Sequence, residues 1–236
     1  MSILECRDVS KTIGTELVVD HVSFVLEEGE TAVLNDREQK ESGLSAAETL
    51  MAMTAGDIVC KNGEILLAEG KSLGTPSHLD GLMTGSGVYA EARSAIPDNN
   101  ELKDTLYTME LGMMYMKNTA YMDLQREYDR LSKELEEGDG EKVEQEIEDT
   151  LTALGLDEET WLQMVGELSE TDQHRMALAK ILLAGTDLII LDHPEKFLSP
   201  DMISWTADVI RGRGGAILAV SDDPEIFGKA TRTITV

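Results

Sequence analysis

The sequence predicts an α/β protein, with a parallel-sheet core and a helical subdomain. Three observations carry that expectation. The first third is rich in β-type runs, residues 101–156 are dominated by helix formers, and the last third alternates helices with buried strands. Helix, strand, helix, strand in that order implies parallel pairing with crossovers, and ligands of such sheets bind beyond the carboxyl ends of the strands.

The elements follow in chain order. "SILECRDV" alternates as a half-buried strand does, "ELVVDHVSFVL" is a longer β-type run, and "GETAVL" ends in a short buried strand. Gly14 and Gly29 punctuate the turns between them. A helix is expected from Ser45, with Gly56 as its stop, and "GEILLAEGKSLG" reads as another strand and turn. In the middle, Tyr121, Leu124, Tyr128, Leu131 and Leu135 are spaced 3, 4, 3, 4, a heptad stripe. "GDG" at 138–140 breaks it, and Val143, Ile147, Leu151 and Leu154 form a second stripe at spacing 4, 4, 3. Two such helices joined by a glycine turn predict an antiparallel helical hairpin. Its 12 acidic and 4 basic residues between 120 and 150 make it a solvated arm or a surface for a protein partner. In the last third, "LSETDQHRMALAKILLAG" is a helix that Gly185 can cap, and "DLIILD" is a fully buried strand. "MISWTADVIRG" is an amphipathic helix, "GAILAVS" another buried strand and "TRTITV" a last one. This places Asp192 and Ser221 at the edge of the sheet where ligands bind.

Composition narrows the function classes. The formal charge is −26, from 46 acidic and 20 basic residues, and no basic cluster offsets it. Such a surface repels phosphate backbones and anionic lipids, which disfavours direct nucleic-acid binding. No apolar run reaches the ~18 residues that cross a bilayer. The opening "MSILECRDVS" is acidic and polar where a signal peptide is apolar, so a cytoplasmic protein is expected. Cys6 and Cys60 match no metal spacing and read as two reduced thiols.

Three segments carry a family resemblance. "LECRDVSKTIGTELVVDHVSFVLEEGETAVL" is similar to the opening strands of an ATP-binding cassette domain. "ELSETDQHRMALAKILLAGTDLIILDHPEKFLSPD" resembles its signature helix, Walker B strand and D-loop, and "WTADVIRGRGGAILAVSDDPEIFGKATRTITV" resembles its closing segment. The acidic heptad helices before the signature look like the arm region of the ABC-F type. The resemblance implies a P-loop NTPase-like parallel sheet with an antiparallel β subdomain, formed by residues 1–95 and 157–236, and a helical subdomain with arm over 96–156. It also implies ATP and Mg²⁺ as cofactors, and pairing either as a homodimer or with another cassette.

The motifs depart from the family one by one. A working P-loop, G-x4-G-K-[ST], surrounds phosphates with backbone N–H groups and adds a lysine and a magnesium-binding hydroxyl. The corresponding segment, 35–49, is "NDREQKESGLSAAET", with one glycine, Gly43, and one lysine, Lys40, in the wrong relation. Depending on the anchor, Ser42 or Ala47 stands at the lysine position. In the second alignment Ala47, Glu48 and Thr49 fall on the family's nucleotide contacts. Asp36, Glu38, Glu41 and Glu48 put negative charge where phosphates are expected, so an ordinary strand–loop–helix connection is predicted. Ile13 stands at the position of the adenine-stacking aromatic, and Glu91 is a rough match to the Q-loop glutamine.

The signature pentapeptide becomes "LSETD", 168–172, which keeps Ser169 but replaces both glycines. Ser169 with Asp172 three residues on reads as a helix cap. Asp192 stands at the Walker B aspartate, whose family role is Mg²⁺ coordination. His193 takes the catalytic-glutamate position, Ser199 the D-loop aspartate and Asp222 the switch histidine. Losing a placed general base costs roughly 10²–10⁴ in rate. The expected function is therefore a catalytically degenerate ABC-F-like cassette, a pseudoenzyme acting as a binding or regulatory module. An active ATP-hydrolysing, translation-associated cassette is the alternative. A third reading is a divalent-metal site from Asp192, His193, Asp222 and Asp223, because carboxylates with an imidazole suit such ions.

Overall fold

The computed structural model describes the chain except residues 38–42, 97–99, 114–118, 139–140, 222 and 229–230. Strands β1 (Ser2–Ile13), β2 (Glu16–Glu27) and β4 (Asn62–Leu67) form an antiparallel sheet in the order β2-β1-β4. Strands β3 (Thr31–Asn35), β5 (Leu73–Gly74), β6 (Leu188–Asp192), β7 (Ala216–Val220) and β8 (Thr231–Thr235) form a parallel sheet in the order β5-β6-β7-β3-β8. The parallel pairing inferred from alternating helix and strand is thus present.

Strand periodicity explains why the parallel strands are apolar throughout. Side chains alternate across a strand, so a sheet covered on both faces buries every position. Leu188, Ile190, Ala216 and Leu218 join one buried cluster, with the antiparallel sheet and helix α1 (Ala46–Ala55). Ile189, Leu191, Ile217 and Ala219 join the other. That second cluster includes residues of α2 (Val88–Arg93), α5 (Glu141–Ala153), α7 (Glu170–Leu183) and α8 (Pro200–Gly212).

Helix α1 starts and stops where the sequence marks it. The Ser45 hydroxyl accepts the Glu48 N–H at its start, and Gly56 ends it at φ 92°, a left-handed geometry that favours glycine. Helices α3 (Asn100–Met113) and α4 (Thr119–Gly138) pack along each other, and Tyr128 on α4 donates its hydroxyl to Glu110 on α3. On α4, Leu124, Tyr128 and Leu131 are half-buried, while Tyr121 is exposed. The second stripe has a different destination. Ile147, Leu151 and Leu154 are fully buried in the core beside α2 and α7. The short helix α6 (Glu158–Trp161) follows, capped by the Asp157 carboxylate on the Thr160 N–H. Among the described residues no helix is long and apolar enough to cross a membrane.

Candidate functional site

The carboxyl ends of β3, β6 and β7 and the start of α1 enclose a cleft of about 420 Å³. Asp36, Ser45, Ala47, Glu48, His193 and Ser221 line it. Backbone hydrogen bonds fix Asp36 at its edge. The N–H of Arg37 donates to the carbonyl of Val236 (2.8 Å), and the N–H of Val236 donates to Asn35 (2.9 Å). The β3–β8 ladder therefore holds both neighbours of Asp36. From there the Asp36 carboxylate accepts the Ala47 N–H at 2.7 Å. The next N–H groups of α1 are also satisfied from within. Glu48 donates to Ser45 Oγ (3.0 Å) and Thr49 to the Ser45 carbonyl (3.1 Å).

His193 forms the opposite wall. It follows β6 at φ 44°, ψ 58°, the left-handed region that side-chain-bearing residues rarely adopt. Its N–H donates to the Val220 carbonyl (2.9 Å), which ties it to β7. Its Nε2 lies 3.2 Å from Glu48 and its Nδ1 3.0 Å from Glu195. A neutral imidazole has one N–H, so only the imidazolium satisfies both contacts. Partial burial pulls the proton affinity of the ring down. The hydrogen bonds from Glu195 and Glu48 outweigh that, and the ring titrates above its ordinary value. Ser221, nearly fully buried, continues the chain of contacts, donating to Glu195 Oε2 at 3.1 Å. The chemistry on offer is a row of acceptors with one cation, Glu48–His193–Glu195–Ser221, spanning the cleft.

The structure separates several of the residues singled out in the sequence. Asp192 lines a different cleft, of about 360 Å³, with Ser77, Glu170, His174 and Lys196. Glu48 and Ala47 line the first cleft, whereas the Thr49 hydroxyl is buried and donates to the Ser45 carbonyl (2.7 Å). Ile13 ends β1 and packs half-buried against the core under the antiparallel sheet. Ser169 caps α7, accepting the Asp172 N–H (3.1 Å) and donating to the Asp172 carboxylate (2.7 Å). Asp223 is taken up by a turn, accepting the Glu225 N–H at 3.1 Å. Asp222, at the switch-histidine position, lies outside the described residues, as do Glu38, Lys40, Glu41 and Ser42. Among the described residues no group of three or more His, Cys, Asp or Glu side chains is placed to hold a metal ion.

Glu91, the rough Q-loop match, is fully buried on α2 and pairs with Lys180 of α7. Glu195 belongs to none of the sequence motifs. Its only signal was the position two residues beyond His193, at the start of a short turn that begins with Pro194.

Comparison with known proteins gives the family. A family model described as ABC transporter matches residues 19–196. The chain is 25% identical over 234 residues to the Bacillus subtilis ATP-binding protein YdiF, covering 99% of this chain and 36% of that protein. It is 27% identical over 222 residues to the energy-dependent translational throttle protein EttA of Mycobacterium tuberculosis, covering 94% of this chain and 38% of that protein. These relatives are of the ABC-F type, and this chain spans well under half of their length. A structure described as the dimeric structure of MJ0796, a bacterial ABC transporter cassette, aligns with a TM-score of 0.61 at 16% identity over 99% of this chain and 94% of that one. With the parallel sheet, the antiparallel sheet and the strand-end cleft in place, the chain belongs to the ATP-binding cassette family.

Proposed function

We propose that this cassette does not hydrolyse ATP and acts as a binding or regulatory module. The observation that carries this reading is the Asp36 carboxylate on the Ala47 N–H, at the helix end where the family's fold offers backbone donors to phosphates. A triphosphate with Mg²⁺ brings several negative charges. The described cleft lining meets them with Asp36 and Glu48, and its one cation, His193, is already bridged between two carboxylates. These residues do not fit the group. Asp192, the family's Mg²⁺ position, lines the neighbouring cleft, which adds to the mismatch.

The binding role is assigned to the helical region 96–156. Tyr107, Leu111, Tyr121 and Met122 on α3 and α4 are exposed, amid acidic side chains. That mixture suits a protein partner with basic and apolar groups, in line with the strongly negative net charge. Pairing with a second cassette is compatible with this role, as the MJ0796 cassette is described as dimeric.

The test is calorimetric titration of the native protein with ATP and Mg²⁺, followed by phosphate release. The expected result is no saturable binding. Micromolar binding with release that disappears in Asp192→Asn overturns the proposal and restores the active ATPase reading.

A further inference from the structure

We infer that Asp36 is an internal anion, an autoinhibitory plug that occupies the α1 N-terminus and keeps solution anions out of the cleft. The inference deepens the proposed loss of nucleotide binding and names its physical cause. A missing lysine weakens a phosphate site, whereas a carboxylate fixed on the donor fills it.

Three structural features make Asp36 an occupant and not a loose surface acid. It is half-buried, and its backbone position is fixed from both sides by the Asn35–Val236–Arg37 hydrogen bonds that extend the β3–β8 ladder. Its Oδ1 meets the Ala47 N–H at 2.7 Å, the short distance of a charge-assisted bond. And, among the described residues, a cleft of about 420 Å³ lies in front of it, with Asp36, Ser45, Ala47 and Glu48 on one side and His193 and Ser221 on the other. The space for a small anion is present, while the donor is engaged. A carboxylate there also gains from the positive end of the α1 dipole, the same field that would draw a phosphate.

The experiment compares the native protein, Asp36→Ala and Asp36→Asn, with inorganic pyrophosphate as probe, by ³¹P NMR line broadening and calorimetry at one fixed ionic strength. Native protein is expected to show no binding. Asp36→Ala frees the donor and removes one charge, and is expected to bind roughly tenfold tighter or better, the gain that one freed anion contact supplies. Asp36→Asn keeps an acceptor on Ala47 and is expected to fall between the two. Equal affinity of folded Asp36→Ala and native protein overturns the plug, as does pyrophosphate binding by the native protein at micromolar concentration. Amide exchange at Ala47 in the native protein needs no variant. Slow exchange supports the engaged donor, and exchange at the rate of an open amide overturns it. The proposed function fails separately: ATP binding with phosphate release by the native protein sinks it, while a silent native protein with a silent Asp36→Ala sinks only the plug.

Discussion

Replacing Lys180 by methionine tests an ion pair with a fully buried carboxylate. Glu91 on α2 is 0% exposed and the Lys180 side chain 22%. One carboxylate oxygen of Glu91 accepts from the Met83 N–H (3.1 Å) and from Lys180, and the other is buried with no partner among the described residues. Lys180 also donates to the Gly81 carbonyl (3.0 Å), so the pair fastens the 81–83 loop and α2 to α7. Methionine matches the lysine stem but leaves a buried carboxylate with a single hydrogen bond. Breaking a buried pair from one side costs about 3–5 kcal/mol. At roughly 2–4 °C per kcal/mol for a chain of this size, the melting temperature falls by about 6–20 °C. The assay is thermal and urea unfolding of the native protein, Lys180→Met, Glu91→Gln and the double variant. Glutamine keeps an acceptor for Met83 and removes the charge, so the double variant is expected to recover most of the loss. A cost below ~1 kcal/mol for Lys180→Met, the range of exposed ion pairs, refutes the argument.

Other consequences concern single groups. Burial lowers the proton affinity of His193, but the hydrogen bonds to Glu195 and Glu48 together raise it by more, so its stabilising contribution is full below the ordinary imidazole value and fades as pH rises through the folded one. NMR titration is expected to place its midpoint above that of a free histidine and to show a fall in Glu48→Gln; an unchanged midpoint in that variant argues against the Glu48 contact. Burial, with the nearby Cys60 second, pushes the Cys6 thiol up to about 12. Iodoacetamide at mildly alkaline pH should therefore label Cys60 in the native protein and spare Cys6, as peptide mass mapping can read. Ser169→Ala removes the cap of α7 and is expected to cost ~1 kcal/mol in urea unfolding, since both hydroxyl contacts go to Asp172.

Much of the fold was legible because its signals are local. Leu188–Leu191 and Ala216–Ala219 are apolar at every position, which only a sheet covered on both faces requires, and the two buried clusters divide them residue by residue. Ser45 and Gly56 mark α1 by capping chemistry, and Ser169 does the same for α7. The site was less legible because its partners are distant in sequence. Glu48 and His193 are 145 residues apart, and no periodicity links them. Asp36 was visible as unwanted charge near a phosphate position, but the target of its carboxylate depends on the return of the chain into α1. Glu91 read as a weak match to a glutamine at the cleft, yet α2 turns it inward to Lys180, because a buried carboxylate is stable only beside a cation.

The same logic connects the two carboxylates. In each case an acid at or near a family motif position has found a partner inside the chain, Ala47 N–H for Asp36 and Lys180 for Glu91. A helix start stripped of its ligand still has N–H groups to satisfy, and an unmatched buried donor costs about 1–3 kcal/mol. If, as proposed, the chain meets no nucleotide, supplying its own acceptors removes that cost. Asp36 and Ser45 do so at α1, and Ser169 does so at α7. These contacts satisfy donors at both helix starts from within the chain. Freeing those donors is thus expected to trade stability for anion affinity, and Asp36→Ala, measured for both, is the substitution in which the two must move in opposite directions.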